Sequence, residues 1–134
     1  MSEAQAQQQA EAPSMPQMEK AADPVLKLNF LSHGTLESRN LNRAREFYTE
    51  FLGLEVVRTS PISLLIRLGG PNTIAVVEQK NKADIMSMLN HNGLDVATQA
   101  EVDAAHEKVV EHAEKYSITK ISKPKVQHGT YSFY

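Results

Sequence analysis

The chain has 134 residues, no cysteine and a formal net charge of −2 at pH 7. This length predicts one domain, and the absence of a basic surplus argues against nucleic acid as a partner. No apolar run approaches the roughly 18 to 20 residues that a membrane span needs. Without cysteine, a bound metal would have to be held by histidine and carboxylate side chains.

Residues 1–24 differ in composition from the rest of the chain. They are rich in Gln, Ala, Glu and Pro, and they contain no Leu, Val, Ile or aromatic residue. Such a segment buries too little apolar surface to offset its ordering entropy, so we expect a disordered tail. It also lacks the basic start and apolar middle of a signal peptide, which predicts a cytoplasmic protein. Residues 25–134 are predicted to form a single domain.

The first half of this domain, residues 28–78, predicts one helix among four strands. Asn40 is a predicted N-cap, apolar residues recur at helical spacing after it, and Gly53 is a natural residue to end the helix. Gly69-Gly70-Pro71-Asn72 joins two apolar segments and predicts an antiparallel hairpin. The predicted strands are 33–38, 54–59, 63–68 and 73–78.

The second half, residues 91–134, repeats this order in part. A linker, residues 79–90, precedes it and contains one predicted helical turn near Ile85–Leu89. Thr98 and Glu101 form a capping box that opens a second helix. Strands are predicted at 91–96, 118–122 and 129–134, with a Lys-Pro-Lys loop before the last. The counterpart of strand 73–78 is missing, so we expect an unpaired sheet edge.

Two histidines open corresponding segments of the two halves. Because alternate strand residues share a face, His33 and His91 are predicted to point away from the helices. Imidazole is the commonest protein metal ligand, and the pair therefore predicts a metal site between the halves. Glu78 ends an apolar strand and needs a partner, either a metal ion or an arginine. Arg67 is predicted on the histidine side, where it would meet an anionic substrate or pair with a carboxylate.

Several of these residues resemble the opening of the vicinal oxygen chelate superfamily, which includes glyoxalase I, bleomycin-resistance proteins and extradiol dioxygenases. The resemblance is carried by the run from His33 to Leu41, by Phe47-Tyr48 and by the run from Leu52 to Val57. It implies an α+β fold in which paired βαβββ modules form an open, cup-like mixed sheet with helices on the outer face. The final strand of the second module would be missing here.

The resemblance also implies roles for particular residues. It places His33, His91 and Glu78 at metal-ligand positions, whereas a last glutamate would follow the end of this sequence. The segment ending in Tyr134 resembles a strand whose tyrosine hydrogen-bonds a bound catecholate. His128 lies in the loop where extradiol enzymes often carry an acid–base histidine. An ordinary strand with core aromatic residues would explain the same segment.

These observations predict a divalent-metal-dependent enzyme that binds a substrate through two adjacent oxygens. Extradiol-dioxygenase-like cleavage of a catechol-type ring is the leading interpretation, with Fe(II) favoured and Zn, Ni or Mn as other metals. A glyoxalase I-like lyase or isomerase is the first alternative, with Glu78 as ligand and base. A non-catalytic, resistance-type binding protein is the second. The expected partners are a small-molecule substrate and a second copy of the chain in a homodimer, with neither nucleic acid nor membrane.

Overall fold

The computed structural model describes residues 18–81 and 90–134. The chain divides into two compact units, one formed by Pro24–Asn92 and one that holds Gly93–Tyr134. Within the part of the chain that the structure describes, no helix is long and apolar enough to cross a membrane.

The first unit is a four-stranded mixed sheet with a helix packed on one face. Its strands lie in the order β1-β4-β3-β2, with β1 parallel to β4 and the other neighbours antiparallel. The predicted βαβββ order of the first half and the predicted antiparallel hairpin are therefore confirmed. The elements are β1 His33–Ser38, α1 Leu41–Glu46 with a π-helical extension Phe47–Phe51, β2 Glu55–Ser60, β3 Ser63–Arg67 and β4 Thr73–Glu78.

Local sequence sets both ends of the first helix. The side chain of Asn40 accepts hydrogen bonds from the backbone N–H groups of Asn42 and Arg43, as the N-cap prediction requires. Gly53 ends the helical segment with a φ of 68°, a left-handed conformation that favours glycine. The π-helical extension contains Thr49, whose hydroxyl donates to the Arg45 carbonyl at 2.7 Å, and such back-bonding bends helices.

The hydrophobic core lies between this helix and one face of the sheet. Its buried members are Leu41, Leu64, Ile66 and Val76. Burying each such side chain contributes roughly 1.5 to 3 kcal/mol, so these residues fix which face of β3 and β4 turns towards α1. Leu68, the last residue of the predicted strand 63–68, lies outside this core and is 58% exposed, because β3 ends one residue earlier. The partly buried residues that pack against the core are Leu36, Ala44, Tyr48, Leu54, Val56 and Ile74.

Strand alternation assigns the remaining strand residues to the other side of the sheet, which we call the distal face. Its middle row is mainly apolar, with Val57, Leu65 and Ala75, and the rows at the two ends are mainly polar or charged. The distal face consists of His33, Thr35 and Glu37 on β1, Thr73, Ala75 and Val77 on β4, Ser63, Leu65 and Arg67 on β3, and Glu55, Val57 and Thr59 on β2.

The second unit contains a helix and a two-stranded hairpin. Helix α2 spans Gln99–His112, and the predicted capping box between Thr98 and Glu101 is confirmed in both of its hydrogen bonds. The hairpin pairs β5, Lys125–Gln127, with β6, Thr130–Ser132. Its two loop residues, His128 and Gly129, have φ values of 50° and 80°. Positive φ at both loop positions is the requirement of a type I′ turn.

Two strand predictions in the second half are wrong. Residues 91–96 and 118–122 form no strand, and Lys125 opens β5 where a Lys-Pro-Lys loop was expected. The first of these segments carries an asparagine, a glycine and an aspartate, which all have low strand propensity. Leu94 and Val96 remain 57% and 48% exposed. Little apolar burial therefore offsets the conformational entropy that this segment would lose by forming a strand. In the described residues the second half is therefore not a second βαβββ module, and the turn predicted near Ile85–Leu89 lies outside them.

Candidate functional site

His33 lies at the start of β1, on the distal face, and is exposed. Its Nδ1 atom is 2.9 Å from the hydroxyl oxygen of Ser32. A hydrogen bond at one ring nitrogen fixes the orientation of an imidazole and leaves the other nitrogen, here Nε2, to face a ligand. His33 therefore has the geometry of a potential metal donor.

Glu78 does not lie near His33. In the parallel β1–β4 pair, His33 is opposite Thr73, whereas Glu78 is opposite Ser38. This five-residue offset corresponds to about 16 Å along the strands. Glu78 also shares the alternation of the buried Val76, so it points to the α1 side rather than to the distal face. Its side chain is largely covered and lies 3.8 Å from the Lys80 ammonium group.

Arg67 lies on the distal face at the same end of the sheet as His33. Its Nε and Nη2 atoms donate to the two carboxylate oxygens of Glu55 at 2.8 and 3.1 Å. This bidentate contact lowers the pKa of Glu55 and raises that of Arg67, in both cases mainly through the hydrogen bond and then through charge attraction. Both side chains are more than half exposed, so solvent screens the attraction.

His91 lies in the irregular segment 91–96 rather than on a strand, and it is exposed. Among residues 18–81 and 90–134, no three His, Asp or Glu side chains come close enough together to hold a metal ion. The metal assignment of His33, His91 and Glu78 thus stays a prediction, and the position of Glu78 does not fit a site shared with His33.

The two predicted catalytic residues of the second unit are placed by its hairpin. His128 is the first loop residue of the β5–β6 turn and is exposed, with its backbone in the left-handed region. Tyr134 follows β6, and its backbone N–H and C=O both bond to Ser122, at 2.7 Å to the hydroxyl and 2.6 Å to the amide. These contacts fix the chain end against Ser122, and the catalytic roles of both residues stay predictions.

Two polar contacts were not anticipated from the sequence. Glu55 is the partner of Arg67. The sequence contains the information for this pairing, because both residues are six positions from Pro61 and a hairpin centred on Pro61 places them opposite each other. The Tyr131 hydroxyl donates to an Asp103 carboxylate oxygen at 2.6 Å, which ties β6 to α2. The carboxylate raises the pKa of Tyr131 because it stabilises the protonated phenol. Burial likewise raises the pKa of Tyr48 in the first unit.

Comparison with known proteins supports the fold. No protein-family model matches the sequence, and no curated protein matches it. A possible glyoxalase from Bacillus cereus is 21% identical, covers 78% of this chain and 87% of its own, and has a TM-score of 0.61.

Two further solved structures are similar. A glyoxalase/bleomycin resistance protein/dioxygenase from Nocardioides is 15% identical, with 82% of this chain and 84% of its own covered and a TM-score of 0.53. An integron cassette protein from the mobile metagenome of the Halifax Harbour sewage outfall is 17% identical. The match covers 75% of this chain and 80% of that protein, with a TM-score of 0.54. At these identities the likeness concerns the fold. This chain therefore has the fold seen in structures of glyoxalase and glyoxalase/bleomycin resistance protein/dioxygenase proteins.

Proposed function

We propose that this chain is a vicinal-oxygen-chelate protein of the dioxygenase-like type, which binds a catechol-type small molecule, rather than a glyoxalase-like lyase. The two interpretations differ in their ligand sets. The glyoxalase-like one needs Glu78 beside His33. The dioxygenase-like one needs His33 and His91 together with a carboxylate that the described residues do not supply.

The observation that carries this choice is the register of β1 against β4. It separates Glu78 from His33 by about five residues along the strands and turns the two side chains to opposite faces. The distal-face positions of β4 near His33 are instead Thr73 and Ala75, neither of which carries a carboxylate. Among the described residues, the distal-face positions of β4 beside His33 therefore supply no carboxylate that could share a metal with it.

The other proposed roles follow from this assignment. Fe(II) held by two histidines and one carboxylate would supply Lewis acidity and a place for oxygen to bind. In this proposal His33 and His91 hold the metal, Tyr134 donates a hydrogen bond to the substrate oxygen, and His128 moves a proton at the ring. The full-length protein is proposed to act as a homodimer.

A second candidate function is metal-free binding of a small molecule, as in a resistance-type protein. It is favoured by the distal face, whose centre is formed by apolar side chains, with Val57 58% exposed. Apolar surface between polar rows suits a ring-shaped ligand. This function predicts binding without turnover.

The experiment that separates these functions is an assay on the full-length protein. Anaerobic loading with Fe(II), followed by a catechol and oxygen, should give a coloured ring-fission product, and His33→Ala should abolish it. The hemithioacetal of methylglyoxal and glutathione should not be converted. Conversion of that substrate would contradict the proposal in favour of the lyase, and catechol binding without product would favour the metal-free function.

A further inference from the structure

Four residues form a row across one end of the first unit's sheet. Glu55 on β2 is paired with Arg67 on β3, and His33 on β1 is paired with Thr73 on β4. Ile66 and Ile74 are partners in the β3–β4 ladder, so the next positions, Arg67 and Thr73, continue it. The row therefore runs in the order Glu55, Arg67, Thr73, His33.

All members of this row lie on the distal face. Arg67 and Thr73 directly neighbour Ile66 and Ile74, and Glu55 neighbours Val56, all of which pack on the α1 side. His33 is three positions from the core-packing Leu36, so alternation turns all four row residues to the other side. His33 and Arg67 are two strand spacings apart, which corresponds to roughly 10 Å between their backbones. Between them stands only Thr73, a short side chain, so a ligand lying on the sheet can contact both long ones.

The guanidinium of Arg67 is oriented before any ligand arrives. Glu55 accepts from Nε and from one N–H of Nη2, which leaves the Nη1 edge of the fork unused by this contact. A bidentate carboxylate restricts the guanidinium plane, so less rotamer entropy remains to be lost when an anion binds. Glu55 thus acts as a positioning residue for Arg67.

The geometry points to Arg67 as the group that recognises a carboxylate on the ligand, at the opposite end from the part that reaches His33. This inference rests on the proposed function, because it takes His33 to mark the diol end. The substrate class is therefore an aromatic diol that carries a carboxylate. Its ring would lie over Thr73, with the carboxylate on the outer edge of the Arg67 fork.

The test compares two probes that differ only in the charged group, catechol and 3,4-dihydroxybenzoate. Amide chemical-shift titration of the full-length protein with a chelator present gives both affinities without metal. We expect 3,4-dihydroxybenzoate to bind about fivefold to tenfold more tightly, since the half-exposed guanidinium is partly screened. Arg67→Gln should remove this preference while the catechol affinity stays the same.

Arg45→Gln is the matched control, because it removes the same charge from an exposed position on α1, on the other side of the sheet. It should retain the full preference. The inference is overturned if Arg67→Gln retains the preference, if it weakens both probes equally, or if the unaltered protein binds neither probe or both alike. Loss of ring cleavage with the preference intact would instead contradict the proposed function alone.

Discussion

His33 and Glu78 lie at opposite ends of the parallel β1–β4 pair, and their side chains point to opposite faces of the sheet. The sequence predicts that they are two ligands of one ion, because His33 opens one strand-like segment and Glu78 closes another. Parallel pairing places the start of β1 beside the start of β4, and Glu78 is the last residue of β4. A single ion cannot bind both side chains, because the sheet lies between them.

This separation predicts different effects of two substitutions on metal affinity. His33→Ala should weaken Fe(II) or Zn²⁺ binding by more than about tenfold, since even loss of an outer hydrogen-bond partner has an effect of that size. Glu78→Gln should leave metal affinity unchanged. Isothermal titration of the full-length protein measures both. Equal weakening by the two substitutions would contradict the dioxygenase-like ligand set.

The core of the first unit predicts a large effect of one leucine and a small effect of another. Leu64 is fully buried between α1 and the sheet, so Leu64→Ala should lower the free energy of unfolding by about 2 to 5 kcal/mol. Leu68 directly follows the same strand but is mostly exposed. Leu68→Ala should therefore change the free energy of unfolding by less than about 0.5 kcal/mol. Urea unfolding measures both values, and similar losses would show that the register of β3 differs from the one described.

The N-cap of α1 predicts a moderate loss of stability. Asn40→Ala removes the acceptor of two backbone N–H groups and should lower the free energy of unfolding by about 1 kcal/mol. Asn42→Ala, which alters an exposed residue in the first turn, is the control and should have a smaller effect. Thermal unfolding followed by circular dichroism compares the two. An effect of Asn40→Ala no larger than that of the control would contradict the capping role.

The contact between Tyr131 and Asp103 predicts a dependence of stability on alkaline pH. The pKa of the Tyr131 phenol is raised in the folded protein, mainly by its hydrogen bond to the carboxylate. The stability linked to this group is therefore fully present below the unfolded pKa of about 10 and is lost as the pH rises through the folded pKa. Urea unfolding of the parent protein and of Tyr131→Phe over this range should show a smaller decline in the variant. Parallel pH profiles would exclude the link.

The amino-acid sequence determined the features that depend on near neighbours. Asn40, Gly53 and the Thr98–Glu101 capping box mark helix ends through contacts within a few residues, and the structure forms each of them. The strands of the first unit were predicted to within one residue, because apolar alternation and a Gly-Gly-Pro-Asn turn specify them locally. The resemblance to the vicinal oxygen chelate superfamily also follows from the sequence alone, and it is confirmed at the level of the fold.

Only the tertiary structure decided which distant residues meet. Alternation tells which residues of one strand share a face, but register between strands depends on how the core side chains pack. That packing put Glu78 on the α1 side and brought Arg67 level with His33. It also decided that residues 91–96 form no strand, since an extended segment becomes a strand only when another one pairs with it.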